Sequence, residues 1–204
     1  PRKINKDLQI LKKSKKVDFV YMPKFNDIYQ DKKKPQIKLL KKDKILCAKF
    51  RKGHFEGVLD VMNRLTKIIN PSKIFMGEKD FQQLYLVKNL LERKYKTKVI
   101  QCKTIRDKNE VALSSRNFLL NNSKLVVAAS IYKELVNIKK SINKKNNIFT
   151  FLITQKKKLE NKYKIKIDYL ELRSKKNLKF SKIKKNSKLF IAYYLNSVRL
   201  IDNL

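Results

Sequence analysis

The sequence predicts an α/β fold in two parts: a parallel sheet with crossover helices in residues 1–117, and a smaller α+β domain in residues 118–204. Short apolar runs alternate with amphipathic stretches up to about residue 105, which is the order expected of parallel strands joined by helices. Beyond residue 120, two helical stretches precede a group of strands. Hydrophobic residues make up 42% of the 204 residues, enough for a sizeable core.

The first 50 residues predict one helix and two short strands. Residues 1–14 carry apolar side chains at helical spacing, whereas the apolar runs Val17–Met22 and Ile45–Phe50 have the length of strands. The polar residues 24–44 predict irregular structure, with Lys32–Pro35 as an exposed loop.

The middle of the chain predicts a helix followed by a strand–helix–strand unit. An apolar stripe after Gly53 predicts a helix that Asn70–Pro71 stops. Lys73–Met76 is then predicted to be a buried strand, Asp80–Lys94 an amphipathic helix and Val99–Ile105 the next strand. This order favours a parallel sheet, in which ligands bind at the carboxyl ends of the strands.

The C-terminal part predicts two helices and three strands. Ser123 is a candidate N-cap for a helix to about Ile142, and a Lys- and Asn-rich break at 143–147 precedes a helix to about Tyr163. The predicted strands are Ile165–Leu172, Leu189–Leu195 and Val198–Ile201.

Composition limits the classes of function. A net charge of +35 would attract any polyanion. Only eight of the 52 basic residues are arginines, the usual residue for planar phosphate and base contacts, and the lysines are spread along the chain. Cys47 and Cys102 lie in apolar runs and are predicted to be small buried residues. A single histidine argues against a zinc site, and no apolar run approaches the roughly 20 residues of a membrane helix.

Two short motifs carry the candidate chemistry. Gly77–Gln83 places Lys79 between a predicted strand and the start of a helix, where free amides and the helix dipole favour anions. The alternative interpretation is that Lys79 is an ordinary surface lysine. Ser114–Asn117 offers two hydroxyls, a guanidinium and an amide, although a capped turn would have the same residues. Both motifs follow predicted strand ends, which favours a shared site.

Four segments together resemble the pantothenate synthetase (pantoate–β-alanine ligase) family of the nucleotidyltransferase superfamily. The matching segments are Gly53–Val58, Gly77–Gln83, Ala112–Asn117 and Arg199–Asn203. The resemblance spans the whole chain and implies a Rossmann-like nucleotide-binding domain. It also implies a two-step ligation, in which the carboxylate of pantoate attacks the α-phosphorus of ATP and the amine of β-alanine then displaces AMP from pantoyl adenylate.

The resemblance implies a set of site residues. Lys79, Ser114, Ser115 and Arg116 would act in catalysis by facing the phosphates. Gln83 would bind pantoate, and His54 is a further candidate there, against the alternative of an ordinary helix-start or core residue. The residues implied in ATP binding are Gly77, Glu78, Lys79, Asp80, Ile105, Leu113, Ser114, Ser115 and Arg116.

The family also implies Mg²⁺ bound with the ATP and a homodimer in the intact enzyme. Asp7 matches an acidic position of the family, but Lys6 and Ile10 nearby are poor oxygen donors, so we expect no metal ligand from the protein. From the composition we expect a cytoplasmic location, and neither a membrane nor a specific nucleic acid as partner. The family's upstream segment with its His-x-Gly-His motif does not occur in these residues. We therefore expect an N-terminally incomplete sequence that is inactive on its own. Glu110 stands where the family usually has Gly, which puts the conformation of that loop in question.

Three alternatives stay open from the sequence. One is another nucleotidyltransferase that adenylates a different small acid. The second is a basic nucleic-acid-binding module, and the third is a non-catalytic protein that retains the fold.

Overall fold

The structure, a computed structural model, describes residues 4–29 and 37–204. The chain divides into two units, residues 1–34 and 35–204. In the first unit, helix α1 spans Ile4–Ser14 and the short helix α2 spans Phe25–Ile28. The predicted N-terminal helix is thus confirmed over its described residues, and the predicted loop Lys32–Pro35 lies outside them.

The predicted strand at Val17–Met22 is wrong. These residues form no strand, and the Phe19 side chain is 94% exposed. An apolar run becomes a strand only when a neighbouring chain satisfies its main-chain N–H and C=O groups, and no described residue pairs with it.

The second unit contains ten helices and strands in its described residues. The helices are α3 (Cys47–Phe50), α4 (His54–Ile69), α5 (Phe81–Lys94), α6 (Asn122–Ser141) and α7 (Ile148–Tyr163). The strands are β1 (Lys73–Gly77), β2 (Lys98–Cys102), β3 (Lys166–Ser174), β4 (Ser187–Leu195) and β5 (Val198–Asn203). Short 3₁₀ turns lie at Lys41–Asp43, Glu78–Asp80, Ser115–Leu119 and Ile142–Lys144.

The predicted parallel unit is confirmed. Strands β1 and β2 pair in parallel, from Lys73 opposite Lys98 to Gly77 opposite Cys102, with α5 as the crossover helix. Strand β1 is less buried than predicted, because its side chains alternate and Phe75 is exposed. Strand β2 ends at Cys102 and not at Ile105 as predicted. Cys102 is exposed, so its prediction as a buried residue is wrong.

The predicted strand Ile45–Phe50 is also wrong, because Cys47–Phe50 is the short helix α3. The buried Gln82 side chain explains the difference. Its amide nitrogen donates to the carbonyl oxygens of Asp43 (3.1 Å) and Ile45 (2.8 Å), and its oxygen accepts from the Ala48 N–H (3.4 Å). Main-chain groups that a strand would have paired are thus satisfied by one side chain. Cys47 is buried, as predicted.

The C-terminal helices and strands are confirmed, with one correction. The N-cap of α6 is Asn121, whose side-chain oxygen accepts from the Lys124 N–H at 3.0 Å, whereas the Ser123 hydroxyl donates to that same oxygen. Asn is as good a cap as Ser, and here it stands one residue before the helix. Strands β3, β4 and β5 form an antiparallel sheet in sequence order.

Strand β4 joins the two apolar cores of this unit. Alternate side chains point to opposite faces of a strand, and here both faces are covered. Leu189, Ile191 and Tyr193 pack into the core formed with α6 and α7. Phe190 and Ala192 pack into the core formed with α4, α5 and β2. The domain boundary between residues 117 and 118 stays a prediction.

The helices are too short or too polar for a bilayer. Within residues 4–29 and 37–204, none is both long and apolar enough to cross a membrane.

Candidate functional site

The Gly77–Asp80 segment lies where the sequence predicted it, between β1 and α5. Its 3₁₀ turn follows Gly77 directly and carries Lys79 half-buried, while Asp80 is exposed. A Cβ atom built on Gly77 would have nothing within 4 Å, and its φ of −69° is open to any residue. The glycine therefore faces open space at the end of the strand.

Lys79 lies between two small cavities. The first, about 30 Å³, is lined by Lys79 together with His54, Gln83, Asp80 and Arg51, among others. Each of these residues except Arg51 belongs to the predicted site. A volume of this size holds about one water molecule. The structure thus brings the pantoate candidates Gln83 and His54 to the same cavity as the phosphate candidate Lys79.

The second cavity measures about 20 Å³ and is also lined by Lys79. Ser114 and Asn117 of the second motif line it, together with Tyr132 and Asp202. Lys79 of the first motif therefore lines a cavity with each motif, as Ile201 and Asp202 of β5 also do.

Arg116 points toward the same region. Its Nη1 donates to the main-chain carbonyl of Arg199 at 2.9 Å. Its charge also acts on two residues of the first cavity, because it helps to lower the pKa values of Arg51 and His54. Arg116 thus lies close enough to act on the first cavity by its charge, although it lines neither cavity.

The electrostatics of the first cavity favour an anion. Burial, followed by the nearby charges of Arg51 and Arg116, lowers the pKa of His54, and Asp80 opposes this shift only in part. Burial and the Arg116 charge likewise lower the pKa of Arg51. Nothing in the described ranges forms a hydrogen bond or ion pair with the Lys79 ammonium or the Arg51 guanidinium. Unpaired cations that are partly withdrawn from water bind anions more strongly than cations in bulk solvent do.

A larger cavity lies elsewhere. It measures about 620 Å³, is lined by residues such as Leu39, Tyr85 and Arg93, and contains none of the predicted site residues. The chemistry predicted from the motifs therefore does not lie in this larger opening.

Comparison with known proteins decides the family. The family model described as pantoate-beta-alanine ligase matches residues 1–204. The chain belongs to this family.

Individual relatives agree with the family model. The pantothenate synthetase of Flavobacterium psychrophilum is 35% identical over 212 residues, and the match covers 100% of this chain and 74% of that protein. The pantothenate synthetase of Buchnera aphidicola is 38% identical, with 100% and 73% covered. Among solved structures, the pantothenate synthetase of Thermus thermophilus has a TM-score of 0.89 at 25% identity, with 100% and 75% covered. The Francisella tularensis pantoate-beta-alanine ligase, complexed with beta-gamma ATP and beta-alanine, has a TM-score of 0.79 at 33% identity, with 100% and 70% covered.

Several residues that the family implies lie at the surface beside the cavities. Ile105 and Leu113 are 70% and 53% exposed, and the Leu113 N–H donates to the Ile105 carbonyl at 2.9 Å. Ser115 is exposed, whereas Ser114 is half-buried and its hydroxyl accepts from the Arg116 N–H at 3.3 Å. Of these four residues, Ser114 lines the second cavity, and the other three line neither cavity.

Two acidic residues belong to the loops around the site. The Glu78 carboxylate turns toward Gln101, with which it forms a hydrogen bond, and toward Lys188 Nζ at 3.5 Å. The Glu78 side chain therefore anchors the loop and does not face the cavities. Glu110 has a φ of +67°, the left-handed region that favours glycine, and its side chain is exposed. The loop thus keeps a backbone conformation suited to glycine although the residue is Glu.

Sequence reasoning missed several residues around the site. Arg51 lines the first cavity, and the sequence signal was its place two residues before the Gly53–His54 motif. Arg199 and Asn203 contact the two site loops, and the sequence had marked their segment only as a family signature. Their contacts bridge 83 to 125 positions along the chain, so local sequence patterns could not indicate them.

Proposed function

We propose that this chain takes part in the ATP-dependent condensation of pantoate with β-alanine to give pantothenate, through a pantoyl-adenylate intermediate. The observation that carries the proposal is the position of Lys79. It lies unpaired between one cavity with Gln83 and His54 and another with Ser114. Membership of the pantoate–β-alanine ligase family supports the reaction, and the Francisella tularensis relative was solved with beta-gamma ATP and beta-alanine.

The phosphate groups of ATP would face the cations. Lys79 and Arg116 would bind the phosphate oxygens, helped by the hydroxyls of Ser114 and Ser115. Negative charge develops on these oxygens as the pantoate carboxylate attacks the α-phosphorus and pyrophosphate leaves. Cations held in place before the reaction stabilise that charge without a reorganisation cost.

The remainder of the nucleotide would lie across the open surface beside the cavities, since neither cavity could hold it. The main chain of Gly77–Asp80 would support it, and Asp80 would lie near the ribose. Ile105 and Leu113 form an exposed apolar pair suited to an adenine ring, and contact with the base would withdraw them from water.

Pantoate would lie at the first cavity with one of its polar groups directed into it, since about 30 Å³ is too small for the whole molecule. The Gln83 amide would hydrogen-bond its hydroxyl or carboxylate. The lowered pKa of His54 favours a neutral imidazole, which both donates and accepts hydrogen bonds. Arg51 is a further cation that we assign to the anionic side of this cavity. Holding both substrates in line replaces a bimolecular encounter by a positioned one.

The direct test is ATP binding by the 204-residue chain, measured by calorimetry. Lys79→Ala should weaken binding about 10- to 100-fold, since a hydrogen bond to a charged group contributes roughly 1.5–3 kcal/mol. The matched control is Lys133→Ala, an exposed lysine on α6, which should leave the affinity unchanged. Equal affinity of the Lys79→Ala variant and the unaltered chain would contradict the proposal.

Catalysis is expected to differ from binding. The 204 residues contain one histidine, His54, and no His-x-Gly-His sequence. We propose that a polypeptide of these residues alone binds ATP but forms pantoyl adenylate slowly or not at all. Measuring pyrophosphate release with pantoate and ATP tests this, and a rate equal to that of a full-length relative would refute it.

The same proposal includes Mg²⁺ carried by the ATP phosphates, a homodimer in the intact enzyme and a cytoplasmic location. Within residues 4–29 and 37–204, no three His, Cys, Asp or Glu side chains gather in a group that could hold a metal ion. A different small-acid substrate is the second candidate, and Gln83 beside His54 favours pantoate over it. Nucleic-acid binding without sequence preference that disappears at moderate salt would be incidental to the charge.

A further inference from the structure

Strand β5 makes polar contacts to both loops of the candidate site. The Asn203 side-chain amide donates to the main-chain carbonyls of Glu78 and Lys79, at 2.9 and 2.8 Å. The Arg199 main-chain carbonyl accepts from the Arg116 guanidinium at 2.9 Å. One strand at the end of the described chain thus touches the two segments that carry the candidate phosphate-binding cations.

A third contact fixes the loop between β2 and Ser114. Both terminal nitrogens of Arg106 donate to the carboxylate of Asp202, each at 2.8 Å, with side chains only 14% and 10% exposed. Arg106 Nη1 also donates to the Glu110 carbonyl at 2.9 Å. A two-point ion pair shielded from water fixes direction as well as distance.

The Asn203 side-chain amide contacts the loop through its nitrogen, while its oxygen lacks a hydrogen bond within the described part of the chain. The residue is 3% exposed, and its side-chain oxygen is buried without a partner among the described residues. A buried unpaired acceptor is unfavourable. The two N–H bonds to the Glu78 and Lys79 carbonyls are therefore what this amide provides, and they hold the 3₁₀ turn from which Lys79 projects.

We propose that β5 is a positioning strand for the candidate site. Asn203 holds the main chain of residues 78–79 and thereby positions Lys79. The Arg199 carbonyl holds the side chain of Arg116. Together they would set Lys79 and Arg116 at one spacing for a single polyphosphate chain. Neither Asn203 nor the Arg199 carbonyl touches the ligand, so both act through other residues. The inference rests on the proposed function for its ligand, although its first test needs no ATP.

The first test is amide hydrogen exchange of segment 77–83 in the free protein. Asn203→Ala removes both hydrogen bonds, and Asn203→Asp keeps the shape but cannot donate. In both variants, the amide hydrogens of residues 77–83 should exchange about tenfold faster than in the control. The control is Asn63→Ala, because Asn63 Oδ1 accepts from Tyr95 and Lys94, each at 2.9 Å, at a distance from the site loops.

The second test is a double-mutant cycle for ATP binding. In the chain with Lys79, Asn203→Ala should weaken ATP binding about tenfold, whereas Asn63→Ala should leave it unchanged. With Lys79→Ala already present, Asn203→Ala should change the affinity less than about twofold, because the group it positions is gone. A general loss of packing would weaken binding equally in both backgrounds.

The outcomes separate this inference from the proposed function. The inference is supported if the Asn203 variants speed hydrogen exchange in segment 77–83 and if Asn203→Ala weakens ATP binding only when Lys79 is present. Exchange no faster than in the Asn63→Ala control overturns it, and so does an equal loss of affinity in both backgrounds. If the unaltered chain does not bind ATP but segment 77–83 still responds to Asn203→Ala, the proposed function fails while the positioning of the loop by Asn203 stands.

Discussion

Replacing Glu110 by glycine should stabilise this protein. The residue has a φ of +67°, a conformation that costs an L-residue roughly 1–2 kcal/mol and glycine almost nothing. Its N–H donates to the Asp107 carbonyl at 2.9 Å, and its carbonyl accepts from Arg106 at 2.9 Å. Both contacts use the main chain, so glycine would keep them.

The size of the effect follows from two opposing contributions. Relief of the left-handed strain favours Glu110→Gly, whereas the greater freedom of glycine in the unfolded chain opposes it by roughly 0.5–1 kcal/mol. The net gain in free energy of unfolding should lie between roughly 0 and 1.5 kcal/mol, with a midpoint of about 0.75 kcal/mol. For a chain of this length, the midpoint corresponds to a rise of about 1–4 °C in the melting temperature.

Urea unfolding followed by circular dichroism measures this difference. Glu110→Ala is the control, because it removes the carboxylate but keeps the Cβ atom and hence the strain. We expect no gain for Glu110→Ala. Equal stabilisation by alanine and glycine would show that charge, and not backbone conformation, was responsible, and a loss on Glu110→Gly would contradict the assigned strain.

Two further predictions concern the site itself. Gly77→Ala should leave the free energy of unfolding unchanged or slightly raised, because the φ of Gly77 is −69° and an added Cβ atom meets nothing within 4 Å. ATP affinity should nevertheless fall, because the proposed position of the nucleotide is against Gly77. Urea unfolding measures the first effect and calorimetry the second. His54 is the only histidine, so its imidazole gives one unambiguous proton NMR titration. Burial and Arg51 hold its pKa below the ordinary 6.5, so stability should fall as the pH drops through 6.5 toward the folded pKa. ATP should raise this pKa and bind more tightly as the pH falls through that window, and a pKa unmoved by saturating ATP would refute a polyanion beside His54.

Much of the fold was predictable because its signals are local. The parallel pair β1 and β2 with α5 between them follows from apolar periodicity, and the stop at Asn70–Pro71 follows from backbone preference. The errors at Val17–Met22 and Ile45–Phe50 arose where tertiary contacts, or their absence, decide the outcome. Gln82 lies more than 30 positions from the carbonyls that it satisfies, so no local window could indicate its role.

The candidate site was predictable only in part, for the same reason. Lys79 stands directly beyond the end of β1, and Ser114 belongs to the loop that follows β2. The sequence order of strands and helices predicts that the carboxyl ends of such strands meet. Arg51 reaches the site through the fold of α3 and α4, and a strand was expected there instead of a helix. Asn203 could not be assigned a role because its two partners lie 125 and 124 positions away.

The charges at the site link its stability to its ligand. Arg51, Lys79 and Arg116 are cations at or near the first cavity, and the exposed carboxylate of Asp80 acts on Arg51 and His54. This surplus of positive charge is unfavourable in the free protein and favourable once a polyanion binds. A ligand at 100 times its dissociation constant stabilises the folded state by about 2.7 kcal/mol. At physiological ionic strength, salt largely screens the repulsion between exposed charges only when they are more than about 8 Å apart. Added salt should therefore stabilise the free protein less than bound ATP does. The arrangement that destabilises the free protein is therefore the one that would bind a polyanion.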